Sequence, residues 1–211
     1  MARDERRITR FPFDGIKKEK HRPARKQIPD LADVEKYVET AILECPKSGR
    51  QFADYLRLLM YSGGRETEAL SLQWADVNFE LCQVHFHRNT KFSRDRHLDF
   101  NPKLESHLTE MYERRDREVE WLFPSPRPNM QGGRITNFRR TLEKVREKVG
   151  VYLSDHYLRH YFTSQAVMAG VDRLVLAKWL GHQDGGKLIA EVYGHLSSEY
   201  EQKQGAKLSN L

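Results

Sequence analysis

Apolar positions recur with helical spacing along most of this chain and with strand spacing in one short stretch. After Asp30-Leu31-Ala32-Asp33, a capping sequence, Val34, Val38, Ala41 and Ile42 fall on one stripe and predict a helix. A second helix is expected over 51–61, carrying Phe52, Tyr55, Leu56, Leu59 and Met60 and stopped by Gly63-Gly64. A short third one follows from Glu66 to about Gln73. The period then changes. Leu81-Cys82-Gln83-Val84-His85-Phe86-His87 alternates as a strand does, and Arg96-His97-Leu98-Asp99-Phe100 answers it across a polar turn, so the two read as a hairpin. Beyond it the pattern predicts a charged helix over 102–120, a short extended piece at Trp121–Pro126, and helices over 135–149, 155–169, 172–180, 187–192 and 198–207. Leu158, Phe162 and Val167 of one helix, and Leu174, Leu176, Ala177 and Leu180 of the next, are expected to face the core, as are Trp74, Trp121 and Trp179. His85, His87 and His97 are expected to face solvent. There is no internal repeat. The expected fold is α+β, mainly α-helical, with one small antiparallel β-sheet.

Residues 1–29 do not share this periodicity. Phe11-Pro12-Phe13, Pro23 and Pro29 break helices and the charge density discourages packing, so the segment reads as a basic linker or tail ahead of a domain at 30–211. The chain has 211 residues, enough for one substantial core. Its net charge of +6 hints at nucleic acid. That excess resides in residues 1–26, where ten Lys and Arg face four acids; elsewhere 26 basic residues balance 26 acidic ones. The case for DNA must therefore rest on a site. No apolar run approaches the roughly 20 residues of a membrane span. A charged N-terminus gives no signal peptide, and two distant cysteines, Cys45 and Cys82, argue against a disulfide framework and for a cytoplasmic setting.

Six polar residues, Arg65, Lys91, His156, Arg159, His182 and Tyr193, stand in local contexts that suit chemistry. Arg65 opens a helix after a Gly-Gly turn. Lys91 lies at the tip of the hairpin. His156 and Arg159, three residues apart, are neighbours on one helical face. His182 follows the glycine that ends a helix, and Tyr193 lies just beyond. A phenol with a reference pKa near 10 is ionised in only about one molecule in a thousand at pH 7, so it needs a nearby base or a positive field to act as a nucleophile. Arginine suits the non-bridging oxygens of a phosphodiester because it stays charged and offers paired donors. A lysine on a hairpin tip can bring a proton to a leaving alkoxide. His156 and His160 lie four apart, but no general-base Glu stands between them and no Cys pair lies nearby, so a metal is not expected. Taken singly, each of these residues also has an ordinary structural reading.

In this order the motifs Gly64-Arg65-Glu66-Thr67-Glu68-Ala69-Leu70, Thr90-Lys91, His156-Tyr157-Leu158-Arg159-His160, Leu180-Gly181-His182 and Tyr193-Gly194-His195-Leu196 resemble the signature boxes of the tyrosine recombinases, the phage-integrase family. The resemblance spans roughly residues 30–200. It implies Tyr193 as nucleophile, Arg65 and Arg159 as the clamp on the scissile phosphate, and Lys91 as the donor to the 5′ oxygen. It also implies His156 as acid/base toward Tyr193, His182 as a hydrogen-bond partner of the phosphate, and Glu68 and His160 as supporting residues. The activity implied is DNA cleavage and rejoining through a 3′-phosphotyrosine, with no cofactor or metal. The partners implied are double-stranded DNA with paired recombination sites, a homotetramer on that DNA, and accessory DNA-bending or directionality proteins. An upstream core-binding domain is expected to be lacking, and 197–211 is expected to be a C-terminal helix or tail that packs on a neighbour. Two rival readings share much of the pattern: a type IB topoisomerase and a DNA-binding module without activity.

Overall fold

The computed structural model describes residues 31–87, 95–126, 133–182 and 184–193. Helix α1 runs Leu31–Glu44, α2 Gly49–Ser62 and α3 Glu66–Ala69. A 3-10 turn at Trp74–Asp76 leads into strands β1 (Val77–Asn78), β2 (Gln83–Phe86) and β3 (Arg96–Asp99). Helices α4 (Pro102–Glu113), α5 (Arg139–Val149), α6 (Asp155–Met168), α7 (Arg173–Leu180) and α8 (Lys187–Tyr193) complete the described order. No helix among the described residues is long and apolar enough to cross a membrane.

Helix α2 is the centre of the core. It buries Phe52, Ala53, Tyr55, Leu56, Leu58, Leu59 and Met60, and α1, α4 and α6 all pack on it. A helix apolar over so much of its circumference has nowhere to go but the middle of a bundle. It ends where the sequence placed the stop: Gly63 takes φ 63°, and its N–H donates to the Leu59 carbonyl. A Cβ at Gly63 would lie 2.5 Å from Cδ1 of Phe162 on α6, so the turn is glycine both for its backbone angle and for that close approach.

The sheet is antiparallel, in the order β1-β2-β3. Its register pairs Val84 with Leu98, His85 with His97 and Phe86 with Arg96. Val84, Phe86, Leu98 and Arg96 point into the protein and are buried. The histidines and Asp99 point outward.

Several expectations are corrected. The first helix buries Tyr37 together with Val34, Val38 and Ala41, and leaves Ile42 exposed. The third is a single turn, the fourth stops at Glu113, and the fifth begins at Arg139. A charged stretch such as Arg114–Glu120 has helix-forming residues but no apolar face to hold it down, so it leaves the helix once α4 has buried Leu104, Leu108 and Met111. Strand β1 was not foreseen; two residues are too few for a period to show. Leu174 is exposed although its neighbours Leu176, Ala177 and Leu180 are buried. Trp74 and Trp179 are partly buried at the edge of the core rather than inside it. His85 is half-buried, while His87 and His97 are exposed as expected. The expected linker at 1–29, Lys91 and its hairpin tip, and the expected C-terminal helix lie outside the described residues.

Candidate active site

Glu68, Arg96 and Arg159 form the buried heart of the site, with Arg65 half-buried at its edge. Glu68, 1% exposed, sits in the only turn of α3. Its Oε1 accepts from Arg65 Nη1 at 2.8 Å, and its Oε2 accepts from the Arg65 backbone N–H at 3.0 Å and from Arg96 Nη2 at 2.8 Å. Burial disfavours the charged form of Glu68. Contacts from Arg96 and Arg65 outweigh that cost and hold the carboxyl below its ordinary value.

Arg159, from the middle of α6, is buried. Its Nη1 donates to the Gly63 carbonyl at 2.7 Å and its Nη2 to the Leu180 carbonyl at 2.6 Å. The same Nη2 lies 3.1 Å from His182 Nε2. Arginine can only donate, so Nε2 accepts, and the neutral His182 ring carries its proton on Nδ1. That Nδ1 is buried without a hydrogen-bond partner among the described residues. Burial, the Arg159 charge, and more weakly Arg65 and Arg96 push the His182 imidazole below its usual range. Burial and the repulsion of Arg65 and Arg96 push the Arg159 guanidinium down to about 9, with Glu68 opposing. It remains charged at neutral pH. Three guanidinium groups close to one carboxylate, two of them bonded to it, leave a positive field that an anion would relieve.

Arg96 was missed in the sequence. It is 5% exposed on β3. Besides Glu68 it donates from Nε to the Trp179 carbonyl at 2.6 Å, and its guanidinium stacks on Phe86, 4.5 Å from the ring centroid. A Cβ on Gly181 would sit 3.4 Å from the Arg96 Cδ and 3.7 Å from Arg65 Nη1, so the bend before His182 fits directly over both arginines. A signal was available. Arg96 shares the inward parity of Leu98 on a strand whose other parity is His97 and Asp99, and an inward-facing charge is an informative residue.

The nucleophile candidate is held differently. Tyr193 ends α8 and is buried. Its ring lies 5.6 Å from that of His160, which in turn meets His156 edge-on at 4.4 Å. His156 is exposed on the first turn of α6, with His160 one turn further in; Ser154 caps this helix by accepting from the Tyr157 N–H. The fold thus gathers Arg65, Glu68, Arg159 and His182 at one point, and His156, His160 and Tyr193 in a chain of rings beginning beside Arg159. Lys91 cannot be placed among the described residues. A buried guanidinium cluster of this kind suits a phosphate-sized anion.

Comparison with known proteins gives the same picture. The family model described as the phage integrase family matches residues 26–199. Tyrosine recombinase XerA of Pyrococcus furiosus is 25% identical over 205 residues, covering 95% of this chain and 70% of its own length. XerA of Saccharolobus solfataricus is 26% identical over 172 residues, covering 82% of this chain and 54% of its own. The chain therefore spans between about half and about two thirds of the curated relatives it matches. Among solved structures, XerA recombinase superposes with a TM-score of 0.62 at 20% identity, over 88% of this chain and 66% of that one. The Tn1549 transposon integrase bound to a circular intermediate DNA does so with 0.64 at 17%, over 90% and 68%. The catalytic domain of bacteriophage HP1 integrase aligns over 87% of this chain and 96% of its own length, with a TM-score of 0.56. Neither the topoisomerase nor the inactive-module reading is favoured by these relatives. With its helical body, its small sheet and five motifs in order, the chain belongs to the phage integrase family, the tyrosine recombinases that transfer DNA strands.

Proposed function

We propose that this chain is the catalytic domain of a site-specific recombinase that breaks a DNA strand by attack of Tyr193 on a phosphodiester. The observation that carries the reading is Arg159, buried and bonded at once to the carbonyl before Gly64-Arg65 and to the carbonyl before Gly181-His182. One side chain thereby ties three of the sequence motifs to a single point.

The steps follow from the groups present. The scissile phosphate enters the field of Arg65 and Arg159, whose fixed guanidinium donors stabilise the charge that builds on the non-bridging oxygens; each such preorganised donor is worth about 3 kcal/mol in enzymes generally. His182 stands beside them with its Nε2 3.1 Å from Arg159 Nη2, and donates to the phosphate from Nε2 once the ring carries its proton there. The Tyr193 oxygen bonds to phosphorus as the bond from phosphorus to the 5′ oxygen breaks. The phenolic proton passes to His156, and the 5′ oxygen takes a proton from Lys91. The product is a 3′-phosphotyrosine and a free 5′ hydroxyl. Attack by the 5′ hydroxyl of a partner strand reverses these transfers, so the phosphodiester energy is conserved. Glu68 and Arg96 act through Arg65 by holding its guanidinium. Double-stranded DNA is the substrate, and exchange between two sites calls for four protomers.

The test is a pool of nicked duplexes of randomised sequence, from which the short strand beyond the cleaved bond diffuses away and traps the adduct. Mass spectrometry of the digested protein should find the nucleotide on Tyr193, and Tyr193→Phe should remove it while leaving DNA retention intact. Adduct on another residue, or adduct persisting in that variant, would overturn the assignment.

A further inference from the structure

The outer face of the sheet carries a second cluster of chemistry that strand transfer does not use. His85 and His87 alternate on β2 and its continuation, His97 is the register partner of His85 on β3, and Asp76 ends the 3-10 turn that precedes β1. The rings of His85 and His97 stack with centroids 4.4 Å apart, and those of His85 and His87 lie 4.2 Å apart. His87 Nε2 is 2.6 Å from Asp76 Oδ1. One ligand atom from each of Asp76, His85 and His87 lies within 4.8 Å of the other two.

We propose that Asp76, His85 and His87 form a binding site for a divalent transition-metal ion of the zinc class. Two imidazoles and one carboxylate are a donor set that suits zinc, nickel or copper better than magnesium or calcium. Bonds of about 2.0–2.1 Å call for modest side-chain rotation, which His87 has room for on the solvent side of the sheet. The Nε2 atom of His85 gives the independent support: it is buried and has no hydrogen-bond partner among the described residues. A buried lone pair left without a donor is costly, and a cation satisfies it. Asp95 completes the surroundings. Its Oδ1 lies 3.9 Å from His87 Nδ1 and 4.0 Å from His85 Nε2, so its charge favours a cation there. The ion would fasten the 3-10 turn to β2 at the base of the hairpin.

Titration of the full chain with Zn2+ alone, followed by calorimetry, should show one site of micromolar affinity. Co2+ in its place should give the visible absorption of a nitrogen- and oxygen-ligated ion. His85→Ala and His87→Ala should each weaken binding by at least about tenfold, and Asp76→Asn by a similar factor. His156→Ala with His160→Ala in one chain should leave it unchanged, which separates this site from the other histidine pair. Circular dichroism of each variant checks folding, and His87→Gln repeats the test at an exposed position. Absence of binding up to 100-fold excess ion, or affinity unchanged by His85→Ala and His87→Gln, would overturn the proposal.

Discussion

The two halves of the candidate site are built in opposite ways. On the phosphate side, Arg96, Arg159 and Glu68 are as buried as the leucines around them, and their polar contacts are short, with donors and acceptors drawn from α2, α3, β3, α6 and α7. On the nucleophile side, Tyr193 is carried by a seven-residue helix, and its ring lies 5.6 Å from that of His160. The first half has its charges fixed before any substrate arrives, so it needs no rearrangement to receive an anion. The second half is joined by contacts that tolerate a change of angle. Positive charge is expensive to bury and must be locked; a phenol is cheap to bury and can be left adjustable.

Glu68→Gln is the most severe way to break this contrast. It leaves Arg96 buried with its charge unopposed and should cost about 3–5 kcal/mol, read as a drop in urea midpoint, with strand cleavage lost as well. Next is Arg96→Lys. Lysine keeps the charge but cannot reach Glu68 and the Trp179 carbonyl together, so cleavage should fall well before DNA retention does; equal loss of both would make Arg96 a simple structural residue. Gly63→Ala should cost on the order of 1–3 kcal/mol, since φ is 63° and the new methyl meets Phe162. On the other half, His160→Ala should change stability by only about 1 kcal/mol yet sharply reduce formation of the Tyr193 adduct. If it unfolded the domain instead, the nucleophile side would be as rigid as the phosphate side and the contrast would fail.

The smallest effect is in the response to pH. Burial holds His107 below its ordinary value, and its ring lies 2.9 Å from the Asp54 carbonyl; burial and Arg159 do the same to His182. Both refuse a proton in the fold that the unfolded chain accepts below about pH 6.5. Stability should therefore decline as pH falls from 7 to 5. Below about pH 4.3 the contribution of Glu68, whose folded value is depressed, should be lost as the unfolded chain takes up its proton, while Glu66 and Asp155, raised by burial, act in the opposite direction. Replacing His107 by Gln should flatten the first slope and leave the second, which urea titrations across this range would measure.

Much of this was legible in advance because it rested on local signals. Glycine at 63 and 181 and the stripe of α2 mark boundaries that depend on a few adjacent residues, and the ends of α2 and α7 stand where those signals placed them. Arg65, Arg159 and His182 were visible through their motifs, and the fold brings them together. What failed were judgements that depend on partners far along the chain. Ile42 and Leu174 belong to apolar stripes whose outer edges no element among the described residues covers. Arg96 looked like one more charge beside a polar turn; its importance comes from Glu68, 28 residues earlier, and from the Trp179 carbonyl, 83 residues later. The outward histidines read as three solvent-facing residues because pairing across β2 and β3 is what stacks them.

The three residues Gly63-Gly64-Arg65 have a consequence for control. They offer a carbonyl to one guanidinium and carry another, so the two cations that would grip a phosphate share a single hinge of backbone. Neither can be withdrawn without disturbing the other and the end of the central helix with it. Any device that silences such a protein between rounds of exchange would have to act on the tyrosine's helix or on the hairpin, and leave the grip itself permanently cocked.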